Sequence, residues 1–124
     1  MSSSGSLYSR LGGYDAISAI ANNLLPRLMQ DEQLGRFWQH RGADGLAREK
    51  QLLIDFLCHA AGGPMYYRGR SMSLAHRGMR ISESDWLRFI GHLTDTLTHF
   101  ALAPRESDDV LSFIQSTKGE IVEA

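Results

Sequence analysis

Apolar side chains recur along this chain at the three- and four-residue spacing of an α-helix, and runs that alternate between apolar and polar residues are scarce. The pattern therefore predicts an all-α fold. A brief helical turn is expected at 31–38. The longer helical patterns cover 6–11, about 14–29, about 43–61, 83 to about 101, and a last helix from 104 to about 121.

Two glycine pairs divide this pattern. Gly12-Gly13 is expected to end the first helix and turn the chain sharply. Gly62-Gly63 should cap the third helix, and Pro64 prevents that helix from continuing. Both pairs therefore predict short connections between helices that pack against each other.

Other polar residues and prolines indicate where helices begin or bend. Ser82, with Asp85 three residues later, predicts a capping box at the start of the fourth long pattern. Pro104 is expected to open the last helix. Pro26 removes a backbone donor within the second helix and should bend that helix or split off its last turn.

A long irregular segment, 64–79, interrupts the helices and contains His76 among small and apolar residues. It is expected to hold at most one or two helical turns around 72–77. Segments of this length in compact domains usually serve a function, and its aromatic residues argue against disorder. Composition alone leaves two interpretations of His76 open: a haem ligand, or the commoner case of a histidine that hydrogen-bonds within a loop.

Length and charge narrow the class of protein. A chain of 124 residues fits one domain, expected at 7–122 after a flexible start at 1–6. Its 13 basic and 14 acidic residues give no reason to expect nucleic acid or an anionic membrane as partner. No apolar run reaches the length of a membrane span. The single cysteine, Cys58, rules out an intrachain disulfide, and a cytoplasmic location is the simpler expectation.

If His76 binds iron, its sequence neighbours could line an apolar slot for the macrocycle: Met72, Leu74, Met79, Ile81, Trp86 and Phe89. Arginines at the rim could pair with the haem propionates: Arg68, Arg70, Arg77 and Arg80. His92 and His99 lie seven residues apart and are interpreted as boundary histidines, since no third metal ligand is apparent. No phosphate-binding loop, dinucleotide fingerprint or nucleophile elbow occurs.

The order and spacing of several short motifs resemble the truncated haemoglobins, the two-over-two globin family, and its first group most closely. The similarity extends from about residue 7 to residue 122. The motifs are Leu11-Gly12-Gly13, Phe37-Trp38, Phe56-Leu57, Gly62-Gly63-Pro64, Tyr67-x-Gly69-x-x-Met72-x-x-x-His76, Asp85-Trp86 and Gly91-His92-Leu93.

This resemblance implies a two-over-two helical sandwich that holds haem b on His76, the proximal ligand. It implies reversible binding of oxygen, NO or CO; the family also admits NO dioxygenation and peroxide reduction, served by a reductase. A monomer or weak homodimer is expected. The residues expected to contact the haem are Met72, Arg68, Arg70, Met79, Ile81, Trp86, Phe89, Phe56 and Phe37.

On the distal side of the haem, opposite His76, the chain departs from the pattern of the family. Leu25 occupies the position of a tyrosine that hydrogen-bonds bound oxygen, and Leu53 occupies that of its glutamine partner. Oxygen should therefore exchange fast, unless the Trp38 indole replaces the hydroxyl. The expected distal set is Leu25, Trp38, Leu53, Lys50, Glu49 and His40. The alternative function is a haem-free, all-helical protein-binding module.

Overall fold

In the computed structural model the chain is described at residues 6–39, 42–63, 69 and 71–123. These residues form α-helices joined by short connections, without a strand in the described ranges, which confirms the all-α prediction. The elements are α1 Leu7–Leu11, α2 Gly13–Gln30, a 3-10 helix Leu34–Trp38, α3 Ala43–Ala60, α4 Met72–His76, α5 Glu83–His99, α6 Pro104–Gln115 and α7 Lys118–Ile121.

Helix α2 lies at the centre of the fold, against α3 on one side and α5 on another. Its inward residues repeat at helical spacing, as the sequence predicts, and each is at most 8% exposed: Ile17, Ile20, Ala21, Leu24, Leu25 and Leu28. Leu93 and Leu97 of α5 and Val110 and Ile114 of α6 complete the core. Burying each large aliphatic side chain contributes about 1.5–3 kcal/mol, so this central helix supplies much of the driving force for folding.

Pro26 does not divide α2: of the two predicted outcomes, a bend in the helix or loss of its last turn, the second is wrong. The helix continues to Gln30 and buries Leu28 after the proline. A proline inside a helix costs about 3 kcal/mol. The buried leucines on either side, Leu24, Leu25 and Leu28, offset that cost because an interrupted helix would expose them.

The glycine pairs bring α1 against the end of α3. Gly12 adopts a left-handed conformation with φ +110° and caps α1. The N–H of Tyr8 donates to the carbonyl of Ala61 at 2.8 Å. A Cβ atom on Gly63 would lie 2.5 Å from the Tyr8 ring, so only glycine lets the two segments approach this closely. Both pairs act as the sequence predicts.

Asp31 joins the 3-10 helix to α5. Its carboxylate accepts hydrogen bonds from the backbone N–H groups of Gln33 and Leu34, at 2.8 and 3.0 Å. It also contacts Arg88 Nε at 3.0 Å and His92 Nε2 at 2.7 Å. Burial raises the pKa of Asp31, but the hydrogen bonds from His92, Leu34 and Arg88 outweigh burial and hold that pKa well below its ordinary value. His92 therefore serves the fold as a partner of Asp31.

Asp85 makes the second connection between the same two elements. It forms the predicted capping box with Ser82, and its side chain is 1% exposed. The carboxylate also accepts hydrogen bonds from Gln33 Nε2 at 2.5 Å and from Arg36 Nη2 at 2.8 Å. Asp31 and Asp85 together fix the 3-10 helix, whose last residue is Trp38, against α5.

The last predicted helix is divided into α6 and α7, which the apolar spacing did not indicate. The hydroxyl groups of Ser116 and Thr117 donate to the carbonyls of Phe113 and Ile114, at 2.5 and 2.6 Å. Such side-chain bonds compete with the helical backbone pattern. The break places α7 against α4, the short helix that ends at His76.

Candidate functional site

His76 is the last residue of α4 and is half-buried. Its Nδ1 atom lies 2.9 Å from the carbonyl oxygen of Met72, one turn earlier. A carbonyl oxygen only accepts, so Nδ1 carries the proton and donates it to Met72. In the neutral imidazole, Nε2 is then the ring nitrogen whose lone pair is available to a metal. A histidine ligand usually donates its other ring N–H in this way.

The residues expected on the His76 side of the haem lie on α4, on α5 and in the turn that joins these helices. Met72, Met79 and Phe89 are half-buried and pack against the core. Ile81 is buried. Trp86 is 3% exposed, its ring centroid lies 5.4 Å from that of Phe89, and its indole N–H donates to Gln115 Oε1 on α6 at 3.0 Å. The polar edge of Trp86 is thus directed at α6.

A cavity of about 360 Å³ lies between the C-terminal half of α2, the 3-10 helix and the N-terminal half of α3. Its volume is within the range of small-ligand sites. Four of the residues expected on the distal side meet there: Leu25, Trp38, Glu49 and Lys50. The rest of its lining is Asn22, Pro26, Met29, Ala43, Leu46 and Ala47. This cavity is mostly apolar, and His76 is not among its lining residues in the described part of the chain.

Trp38 and Glu49 form a hydrogen bond at this cavity. The Trp38 indole Nε1 donates to Glu49 Oε1 at 2.8 Å. Phe37 instead lies under the guanidinium of Arg36, which is 4.2 Å from the ring centroid. Of the two aromatic residues, Trp38 is therefore the one that faces the cavity, and its donor is already engaged. Nothing in the sequence signals this pairing, because the two residues lie in different elements.

The other expected site residues are placed as follows. Leu53 lies one helical turn after Glu49 on α3, and Leu53 and Phe56 are half-buried and pack against the core. Arg77 and Arg80 are exposed. His40, Arg68 and Arg70 lie outside the described residues, so their part in the site stays a prediction.

Sequence reasoning missed one residue beside α4. Glu123, after α7, accepts hydrogen bonds from the backbone N–H groups of Gly78 and Arg80, which follow His76. The contact spans more than forty residues of sequence, and no local pattern indicates it.

The residues present fit a haem iron on the His76 side. An imidazole whose Nδ1 is bonded to a backbone carbonyl offers Nε2 as a ligand of the kind that haem iron uses, and Met72 and Met79 in the same segment are half-buried. The described residues hold no cluster of three or more histidine, cysteine or acidic side chains that could bind a metal ion by itself. None of the described helices has both the length and the apolar character needed to cross a bilayer.

Comparisons with known proteins agree with the family resemblance that the sequence motifs indicate. The model of a family described as bacterial-like globin matches residues 6–123. A group 1 truncated hemoglobin of Mycolicibacterium paratuberculosis is 31% identical over 116 residues, covering 94% of this chain and 83% of that protein. A group 1 truncated hemoglobin of Chlamydomonas moewusii is 27% identical over 119 residues, covering 94% of this chain and 68% of that protein.

Solved structures show the same architecture. The truncated hemoglobin of Tetrahymena pyriformis in its Fe(III) form has a TM-score of 0.86 and 24% identity, covering 96% of this chain and 99% of that one. The 2/2 hemoglobin of Synechococcus, solved in the cyanomet state with covalently attached heme, has a TM-score of 0.83 and 26% identity, covering 94% of this chain and 95% of that one. These similarities confirm the predicted two-over-two helical sandwich.

Proposed function

We propose that this chain, which belongs to the bacterial-like globin family, is a haem protein that binds a diatomic gas at an iron held by His76 Nε2. As a globin it is a haem-based gas-binding protein. Bound haem supplies the ferrous iron that takes the gas. The protein's own residues hold that iron, shape the pocket around the ligand and set how fast the ligand leaves.

The hydrogen bond from His76 Nδ1 to the Met72 carbonyl is the observation that carries this proposal. It fixes the tautomer that leaves Nε2 free, and it limits rotation of the ring about its bond to the backbone. It also makes the imidazole a stronger electron donor, as second-shell partners of metal-bound histidines do.

We propose haem b, held without a covalent link through cysteine. The usual covalent attachment uses two cysteines in the pattern Cys-x-x-Cys-His. This chain has one cysteine, Cys58, which is fully buried, and burial raises the pKa of its thiol. A buried, protonated thiol in the core is suited to packing and not to bond formation with a porphyrin.

We propose oxygen as a ligand that this pocket releases quickly. Leu25, 8% exposed, lines the cavity and offers no hydrogen-bond donor. The Trp38 indole N–H, the donor that could replace a hydroxyl there, is engaged by Glu49. Polarised bound oxygen gains from a donor, whereas CO and NO depend on one less. Fast release suits a carrier or a sensor better than a store.

A Leu25→Tyr variant should release oxygen more slowly than the unaltered protein, by about tenfold or more, since one hydrogen bond to a charged acceptor is worth about 1.5–3 kcal/mol. The adjoining cavity of about 360 Å³ gives the larger ring room. Stopped-flow displacement of oxygen by CO measures the rate. The matched control is Leu25→Phe, which adds the ring without the hydroxyl and should leave the rate nearly unchanged. Equal rates in the tyrosine and phenylalanine variants would contradict the proposal that a missing hydroxyl at this position sets the fast release.

The function itself is tested by visible spectroscopy of the protein loaded with haemin and reduced. We expect a sharp Soret band that changes when CO or oxygen is added and returns when the gas is removed. The rival interpretation, a haem-free helical binding module, predicts only the broad spectrum of free haemin. A protein that stayed colourless after haemin addition and gel filtration would support that rival.

A further inference from the structure

The segment that follows His76 is held by a carboxylate from the other end of the sequence. Glu123 Oε2 accepts from the N–H of Gly78 at 3.0 Å, and Oε1 accepts from the N–H of Arg80 at 2.7 Å. The backbone N–H of Glu123 donates in turn to the carbonyl of Ile81 at 2.9 Å. Three bonds thus connect one residue to the turn between α4 and α5, which we name the 77–81 turn.

The 77–81 turn has a backbone that needs such support. Gly78 has φ +84° and Arg80 has φ +56°. The left-handed conformation is easy for glycine but uncommon for a residue with a side chain. It persists where neighbouring contacts determine it. The bond from the Arg80 N–H to Glu123 is such a contact, so loss of the carboxylate should let this backbone relax.

The turn is directly connected to the helix that ends at His76. Its first residue, Arg77, directly follows the iron ligand His76, and the N–H of Met79 donates to the His76 carbonyl at 3.2 Å. Helix α7, just before Glu123, packs against α4. The hydrogen bonds from Gly78 and then Arg80 lower the pKa of Glu123, so its carboxylate remains charged at neutral pH.

We propose that Glu123 is a positioning residue for the iron ligand: by holding the 77–81 turn it fixes the end of α4 and the orientation of the His76 imidazole toward the haem. The inference rests on the proposed function, because it assumes that His76 Nε2 binds iron. Glu123 bonds to backbone N–H groups of the turn and not to its side chains, so its effect depends on the carboxylate.

The test compares Glu123→Ala and Glu123→Gln with a matched control, Glu120→Ala, which removes an exposed glutamate from the neighbouring α7. Two quantities are measured on the haem-loaded proteins. One is the rate of haemin transfer to excess apomyoglobin. The other is the iron–histidine stretching band of the ferrous, ligand-free form in resonance Raman spectra, which reports the strain and orientation of the imidazole.

We expect Glu123→Ala to speed haemin loss about five- to tenfold, as the loss of two hydrogen bonds implies, and to shift or broaden the stretching band. Glu123→Gln keeps one accepting oxygen and should be intermediate; it also serves if the alanine variant takes up no haemin. The control should match the unaltered protein. An unchanged band and transfer rate in both Glu123 variants, even with lower thermal stability, would overturn the proposal. Absence of the band from the unaltered protein would instead overturn the proposed function, and this inference with it.

Discussion

Haemin is expected to leave a His76→Ala variant at least about 100-fold faster than it leaves the unaltered protein. Losing an outer partner of a metal ligand already costs 10–100-fold in metal affinity, so losing the ligand itself should cost about 100-fold or more. The described residues around His76 offer apolar contacts from Met72, Met79 and Phe89. Those contacts can retain some porphyrin but cannot supply the bond to iron.

Transfer of haemin to excess apomyoglobin, followed in the Soret region, gives the rate. His99→Ala is the matched control, because it removes an exposed histidine whose ring contacts Phe100. That control should keep the rate of the unaltered protein. Added imidazole should restore part of the haemin retention in the His76 variant by entering the space left by the ring. Equal transfer rates in the His76 and His99 variants would mean that another residue binds the iron.

Replacing Asp85 with alanine should lower the free energy of unfolding by about 2–3 kcal/mol. The change removes the capping box with Ser82, worth about 1 kcal/mol, and the acceptor of Arg36 and Gln33. We place the loss below the 3–5 kcal/mol typical of a broken buried pair because the Arg36 side chain is 44% exposed and regains water. Urea unfolding measures the loss. Asp95→Ala removes an exposed carboxylate from the same helix and should change stability by less than about 0.5 kcal/mol.

The difference in stability between the unaltered protein and the Asp85→Ala variant should depend on pH. The Arg36 guanidinium holds the pKa of Asp85 well below its ordinary value despite burial, with further help from Gln33 and Ser82. A carboxylate with a lowered pKa in the folded state stabilises the protein above its unfolded-state pKa. This contribution falls as the pH drops toward the folded-state pKa. The stability difference between the unaltered protein and Asp85→Ala should therefore be constant near neutral pH and shrink below about pH 4. A difference that grew on acidification would contradict this assignment.

Much of the fold could be predicted because it depends on local patterns. The inward face of α2, the capping box at Ser82 and Asp85, and the left-handed glycine at Gly12 all follow from spacing or residue type within a few positions. The interruption at α6 and α7 was missed because Ser116 and Thr117 act through hydroxyl bonds to the backbone, which apolar spacing does not record. Of the two outcomes predicted for Pro26, the split of α2 was wrong because tertiary burial outweighed a local penalty.

The candidate site, like the fold, has features that the sequence predicts and features that depend on contacts between distant elements. His76 was identified from its place in a family pattern, and its bond to Met72 lies within one helical turn. The pairing of Trp38 with Glu49, and of Glu123 with Gly78, depends on which helices meet in space. A single sequence carries no local signal for such pairs. The engagement of the Trp38 donor by Glu49 and the support of the 77–81 turn therefore needed the structure.

A crystal structure of the protein reconstituted with haemin tests the central claim most directly. We predict a haem whose iron is bound by His76 Nε2, with Nδ1 still donating to the Met72 carbonyl as it does at 2.9 Å here. Leu25 and Leu53 should lie on the side of the haem where the gas would bind. A porphyrin bound elsewhere, or iron held by another residue while the His76 ring lies in solvent, would contradict the account.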